Sequence, residues 1–372
     1  MIYFIGRILM RIALRVYYRR IIIDGLDHLP KEGPVILASN HPNSFLDSII
    51  LGCHMPNRLF YIARSDVFNS PLKQWILGKF QLIPIYRLQE GIENLDKNKD
   101  TFKKCHELLN QDGWINIFSE GLCIQEKRLR KLKKGTARIA LDFVSEFNKP
   151  LHIVAVGMNY MEPMKFRKEV IIGLNTPFNA QDIRPAFHEA PPQAILAFNH
   201  ALNEKLKEVV IHIEDKSKEK QTDVLILEKR KKIPTPSSGF RLENTGILKQ
   251  LVAFTNHLNT SETLPQPEGI LHEPGKSGVA KLLLQLIALP GILLNGLPVL
   301  AAKKLTDNKV KLNEFKDSVI VAGGMIFSLL YCILLVIILS IIHPVLILPV
   351  LATMATTAAI SVWSYDQWTN TK

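Results

Sequence analysis

The sequence predicts an α/β fold, a mixed sheet flanked by helices, with a basic amphipathic helix before it and a helical apolar tail behind it. Three observations predict this. Between Arg20 and about Asp215, short β-branched runs alternate with stretches of helical periodicity, the pattern of helices packed on a sheet. Ahead of them, Arg7, Arg11, Arg15 and Arg19 recur every fourth residue among apolar neighbours. Behind them, Val319 to Trp363 carries almost no charge, although the 372-residue chain has a formal net charge of +12 and is 47% hydrophobic.

The first element, over residues 1–20, reads as a helix whose arginines form one stripe. A signal peptide keeps its charge ahead of its apolar part, and a spanning helix does not repeat arginine through its middle. A helix lying on the membrane surface fits both features. Its arginines would meet lipid phosphates while Ile2, Phe4, Ile5, Leu9, Ile12 and Val16 dip into the bilayer. A helix packed on the domain with a solvated basic face is the alternative.

Within the α/β domain, residues 21–215, strands are expected at Arg20 to Asp24, Val35 to Ser39, Leu59 to Ala63, Leu82 to Tyr86, Trp114 to Phe118, His152 to Met158 and Glu169 to Gly173. Helices are expected at Leu46 to Cys53, Pro71 to Lys79, Asn98 to Asn110, Lys134 to Phe147 and Pro191 to Ile213. Residues 216–277, rich in charge, Pro, Ser and Thr, read as a charged connector with short helices such as Thr245 to Leu258, its basic run Glu228 to Lys232 facing solvent or lipid.

Three apolar blocks follow. As a helix, Val319 to Ile341 rises roughly 34 Å against a bilayer core of about 30 Å. Val345 to Trp363 is also long enough, and His343-Pro344 breaks the run, so 319–363 reads as two transmembrane helices in a hairpin. The lysines at 303, 304, 309, 311 and 316 mark the cytosolic side. Residues 278–302 contain Pro290, Gly291, Gly296 and Pro298; a spanning helix here would put the α/β domain on the wrong face, so a re-entrant or interfacial segment is expected. The chain therefore reads as an integral membrane protein whose α/β domain faces the cytoplasm. Its basicity points to an anionic membrane surface or acidic substrates, and not to nucleic acid, for which zinc-finger, basic-zipper and aromatic RNA-binding patterns are all missing. Cys53, Cys105, Cys123 and Cys332 are too scattered for a disulfide framework or a structural zinc site.

The chemistry-bearing stretch is Asn40-His41-Pro42-Asn43-Ser44-Phe45-Leu46-Asp47, which follows the apolar run Pro34 to Ala38. An imidazole at a strand end can take a proton from a hydroxyl, and a carboxylate on its other nitrogen fixes the tautomer and stabilises the cation. An exposed histidine beside a helix-starting aspartate is the bland reading. Two more strand ends carry polar groups. Leu82-Ile83-Pro84-Ile85-Tyr86-Arg87 ends on a guanidinium suited to phosphate, and Phe118-Ser119-Glu120-Gly121 on a carboxylate and a glycine able to turn sharply. Each is equally readable as a salt-bridged strand end.

In this order, N-H-P with a following aspartate, then P-I-x-R, then F-S-E-G, the chain resembles the glycerolipid acyltransferase superfamily, which includes the lysophosphatidate acyltransferases. The resemblance covers Gly33 to about Asn159. It implies His41 as general base and Asp47 as its orienter, with Asn40, Arg87, Glu120, Gly121 and Lys134 as substrate-binding positions, Lys134 by similarity to a K-x-G segment opening a helix. It also implies no cofactor or metal, an acyl thioester donor (acyl-CoA or acyl carrier protein), and an acceptor among glycerol 3-phosphate, dihydroxyacetone phosphate and 1-acylglycerol 3-phosphate, used in phospholipid synthesis among membrane lipids. A catalytically silent lipid-binding or scaffold protein and a metal phosphoesterase using His41, Asp47 and His54 are the rival readings.

The chain departs from the family pattern in three places. Most members have four residues between the histidine and the aspartate; here five intervene, Pro42 to Leu46. In a pure helix the additional residue turns Asp47 away by about 100°, so pairing requires an irregular turn through Pro42-Asn43. The branch acting on glycerol 3-phosphate or dihydroxyacetone phosphate, as in fungi, tolerates the longer spacing and also carries membrane segments after its catalytic domain. Leu122-Cys123 replaces the usual Thr-Arg, leaving Lys127, Arg128 or Arg130 to supply the missing phosphate ligand. Ile153-Val154-Ala155-Val156 has alanine where a proline is usual.

Overall fold

The computed structural model describes residues 2–87, 91, 96–236, 239–269 and 278–369. Among the described residues, nine strands form one sheet: β1 (Arg20–Asp24), β2 (Val35–Ser39), β3 (Leu59–Arg64), β4 (Leu82–Ile85), β5 (Trp114–Phe118), β6 (His152–Tyr160), β7 (Glu169–Leu174), β8 (Phe178–Asn179) and β9 (Arg241–Glu243). Their order is β4-β3-β5-β2-β6-β7-β1-β9, with β8 beside β6. All pairings are parallel except those of β6 with β7 and β8, so the sheet is mixed, as expected.

β2 lies in the middle, and its five residues are all buried because both faces of the sheet are covered. Ile36 and Ala38 point into one core, with α4 (Asn98–Asn110), α5 (Gly135–Phe147), α7 (Pro191–Lys207) and α9 (Ile247–Thr260). Val35 and Leu37 point into the other, with α1 (Ile2–Tyr17) and α2 (Ser44–His54). Two edge helices, α3 (Pro71–Lys79) and α6 (Arg184–Glu189), complete the domain together with α8 (Glu219–Lys232).

α1 is a helix, and two of its arginines bond to a neighbouring helix. Arg7 donates to the carbonyls of Cys53 and Met55, and Arg11 to that of Cys53, so both cap the C-terminal end of α2. Unpaired carbonyls at a helix end attract cations, which explains the inward turn of this stripe. The apolar side faces out instead, with Ile2, Phe4, Ile5, Ile8, Ile12 and Val16 exposed. Gly6 lies against Phe80 at the end of α3, whose Leu72, Trp75 and Ile76 are exposed too.

The stretch expected to be a connector is built into the domain as far as it is described; positions 237–238 and 270–277 lie outside the described residues. β9 extends the sheet beside β1, and Ile226, Ile233, Leu248 and Leu251 join the core. The run Glu228 to Lys232 is half inside: Arg230 pairs with Glu169, and Glu228 accepts from the backbone of Glu268 and Gly269. Its charges are partnered, and therefore can be buried.

Three helices follow: α10 (Gly278–Lys309), α11 (Asn313–Ile342) and α12 (Ile347–Thr369). Each apolar block is long and apolar enough to cross a membrane, the last counted from Pro344. α10 is assigned as one helix despite Pro290 and Pro298. Its neighbours change along its length. Ser364 and Ser361 of α12 donate to the carbonyls of Leu284 and Ala288, Asn295 donates to that of Met354, and Ala302 then lies beside Gly323 of α11. Both flanks of α10 thus lie toward the domain end of the α11–α12 hairpin. That end is anchored by Asp317 of α11 and by Asp366 of α12, which pairs with Arg167.

Candidate active site

β2 ends at Ser39 and delivers His41 at the C-terminal edge of the sheet, where parallel strands expose their loop ends. The chain then turns through Pro42 and Asn43 before α2 starts at Ser44. Ser44 has φ 48°, a left-handed conformation that costs a non-glycine residue about 1 kcal/mol. That one residue out of helical phase absorbs the longer spacing. His41 Nδ1 lies 2.9 Å from Asp47 Oδ2.

Asp47 is fully buried and saturated with donors. Oδ2 also accepts from the Asn43 backbone N–H at 2.9 Å, and Oδ1 from the Tyr160 hydroxyl at 2.6 Å. Its place in the first turns of α2 adds the favourable end of the helix dipole. Burial and the Asp47 carboxylate hold the Tyr160 hydroxyl well above its usual pKa, so it remains a donor. A carboxylate with these partners makes His41 Nδ1 the protonated nitrogen and leaves Nε2 as the basic one. The His41 ring stacks on Phe118, centroids 3.7 Å apart and planes at 13°, with its side chain 18% exposed. It is thus held on two sides and open to a substrate.

The other expected residues divide. Glu120 is next to His41, but as a brace: Oε2 accepts from the His41 backbone N–H and Oε1 from that of Arg130. Burial raises its pKa, against the two backbone bonds that lower it. Each oxygen thus holds one backbone N–H and keeps a second lone pair. Gly121 turns the strand end with φ +66°, and a Cβ there would meet Lys133 Cγ at 2.9 Å. Asn40 is also internal. Its side-chain amide donates to the Met158 carbonyl and accepts from the Met158 N–H, tying the His41 loop to β6.

Arg87 follows β4 at the same end of the sheet, but two strands, β3 and β5, separate β4 from β2, roughly 14 Å over three ordinary spacings. Its charge acts on Asp66, whose pKa is lowered chiefly by the hydrogen bond from Arg64 and further by Arg87. Lys134 is exposed at the start of α5, with its carbonyl accepting from Arg138. Of the three substitutes for the missing phosphate ligand, Lys127 pairs with Asp223 and Arg130 with Glu126. Arg128 has an enclosed Nη2 that makes no hydrogen bond to the protein, an orphan cationic donor of the kind an anion satisfies. His54 lies at the far end of α2 and bonds the Ile50 carbonyl, so it does not join His41 and Asp47 as a ligand set.

Three contributors had no signal in the local pattern. Tyr160 comes from β6, and Asp317 and Ser318 from the start of α11. Asp317 accepts from Asn43 Nδ2, and Ser318 Oγ donates to the Asn43 carbonyl, each at 2.9 Å. For Asp317 the one available clue was a carboxylate directly ahead of a long apolar run, where a charge needs a partner.

Residues 20–159 match the family model described as Acyltransferase. Over 132 residues, 34% of this chain and 34% of the relative, the sequence is 28% identical to a probable 1-acyl-sn-glycerol-3-phosphate acyltransferase 5 of Arabidopsis thaliana. It is 25% identical over 134 residues to the 1-acyl-sn-glycerol-3-phosphate acyltransferase of Pseudomonas aeruginosa, covering 36% of this chain and 48% of that one. The chain therefore spans a third to about a half of the length of these relatives. The crystal structure of the 1-acyl-sn-glycerophosphate acyltransferase PlsC from Thermotoga maritima aligns with 52% of this chain and 78% of its own, at a TM-score of 0.36 and 14% identity. The ordered motifs around His41, Arg87 and Glu120 lie inside the matched segment, so residues 20–159 are similar to the acyltransferase family.

Proposed function

We propose that this protein moves a fatty acyl group from a thioester donor, acyl-CoA or acyl carrier protein, to a hydroxyl of a glycerol phosphate acceptor in phospholipid synthesis. The observation that carries the reading is the His41–Asp47 hydrogen bond at 2.9 Å, with Asp47 fully buried and the imidazole open on its other side. His41 Nε2 takes the proton of the acceptor hydroxyl as that oxygen attacks the thioester carbonyl. Asp47 stabilises the imidazolium, and the proton passes to the departing thiolate as the acyl–oxygen bond replaces the acyl–sulfur bond. A thioester already has a good leaving group, so alignment of the two substrates is the main task. Arg128 is the cation best placed by its unmet donor to bind the acceptor phosphate, with Arg87 and Lys134 as further cations at the same end of the sheet.

The exposed apolar sides of α1 and α3 and the three apolar helices support work at a membrane. The lysines at 303, 304, 309, 311 and 316 favour a cytoplasmic domain. The return of α10 toward the domain supports a re-entrant path for 278–302. The names of the relatives make 1-acylglycerol 3-phosphate the first acceptor to try, followed by glycerol 3-phosphate and dihydroxyacetone phosphate.

Purified protein in lipid is incubated with labelled acyl-CoA and each acceptor. Transfer to at least one is expected, together with its loss in His41→Ala at unchanged thermal unfolding. Undiminished transfer by His41→Ala overturns the mechanism, and lipid binding without transfer to any acceptor would leave a silent lipid-binding protein.

A further inference from the structure

The pair at the centre of the site is stretched over one more residue than most of its superfamily uses, and the turn that accommodates it is held from 270 positions away and more. Asn43 is the middle of that turn. Its N–H bonds Asp47 Oδ2, its carbonyl accepts from Ser318 Oγ, and its amide Nδ2 donates to Asp317 Oδ2, all at 2.9 Å. Ser318 Oγ also accepts the Leu46 N–H at 3.1 Å, so one hydroxyl spans the turn. Asp317 is buried and accepts further from the Tyr17 hydroxyl at 2.5 Å and from the Met164 N–H at 3.1 Å. Two consecutive residues of α11 therefore fix the segment whose conformation decides whether Asp47 meets His41.

We propose that Asp317 and Ser318 are positioning residues for the His41–Asp47 pair, so that seating of the α11 membrane helix on the α/β domain sets the competence of the catalytic base. Neither touches substrate. They act through Asn43. Without them, the turn around the left-handed Ser44 keeps its local ties, the Asn43 N–H to Asp47, the Leu46 N–H to the Asn43 carbonyl and the Ser44 N–H to Cys123 Sγ, and it can relax toward helical phase, rotating Asp47 away from the imidazole. The kinetic arm of the test rests on the acyl-transfer reading; the spectroscopic arm does not.

The full chain in lipid nanodiscs is compared as wild type, Ser318→Ala, Asp317→Asn and a control, Asp366→Asn. The control weakens a second tie between the domain and the tail, the Arg167–Asp366 pair. In Ser318→Ala and Asp317→Asn, kcat is expected to fall by about tenfold to a hundredfold, with KM for donor and acceptor within about twofold of wild type. Asp366→Asn keeps both constants. The downfield imidazole N–H resonance of His41, assigned by its loss in His41→Ala, is expected to broaden or vanish in the two α11 variants and to persist in the control. Ser318→Ala removes a single oxygen and carries the test alone if Asp317→Asn fails to fold. The proposal is overturned by a kcat within about twofold of wild type in Ser318→Ala, by an equal fall in Asp366→Asn, or by an unchanged resonance. If wild type transfers no acyl group to any acceptor, the acyl-transfer reading falls and the resonance alone decides the positioning role.

Discussion

At the scale of single residues, the site is organised by who occupies each lone pair. Asp47 has hydrogen bonds to His41, Asn43 and Tyr160 on its two oxygens, the partners that a fully buried carboxyl group requires. Glu120, expected from its motif to bind substrate, braces the site as well: its two oxygens hold the backbone of His41 and Arg130. His54 shows the opposite economy. Its ring is buried, and burial pushes its pKa down to about 4. The unfolded chain binds a proton there at its ordinary value of about 6.5, so between these two values the unfolded state holds more protons and stability rises with pH. Acidification from pH 6.5 to 4 should then remove on the order of 3 kcal/mol through this residue. Thermal unfolding at the two pH values, in wild type and His54→Gln, measures it: the variant is expected to lose less on acidification, and an identical loss rules His54 out as the cause.

At the scale of elements, α2 is the part through which most of the site is set. Its N-terminal end is held by α11 and carries Asp47; its C-terminal carbonyls are capped by Arg7 and Arg11 of α1. The arginine stripe of α1 was legible in the sequence as a repeat of four. Its direction was not, because spacing shows which residues share a helix face and not what that face meets. Removing the Arg11 guanidinium takes the two shorter charged hydrogen bonds from the Cys53 carbonyl and leaves it the longer one from Arg7, a loss of about 1–2 kcal/mol. Arg11→Ala is expected to lower the unfolding midpoint of the domain; Arg15→Ala, whose guanidinium lies over the Phe240 ring, serves as the comparison and should cost less. An unchanged midpoint in Arg11→Ala argues against the cap.

At the scale of the whole molecule, the tail is an integral support of the domain. Tyr17, Asn43 and Met164 all converge on Asp317, while Arg167 joins the end of α1 to Asp366. This places the start of α11 and the end of α12 on the same side, with His343 at the far turn. Single cysteines introduced at Lys311 and at His343 in a cysteine-free background are therefore expected to react with an impermeant thiol reagent from opposite faces of sealed vesicles. Labelling of both from one face contradicts the hairpin.

What the sequence determined by itself is what depends on near neighbours. The strands and helices of the α/β domain, the apolar hairpin and the identities of His41 and Asp47 follow from periodicity, residue type and ordered motifs, all readable within short windows. The tertiary structure decided the rest. Asn43 meets Asp317 across 274 positions and Asp47 meets Tyr160 across 113, and these bonds hold a turn that local preference alone would leave out of register. The charged stretch after Asp215 likewise reads as a connector until Arg230 finds Glu169 and β9 finds β1. The physical reason is common to all of these cases. A helix's phase is set by its own backbone, whereas a strained turn or a buried charge persists only where distant groups satisfy it.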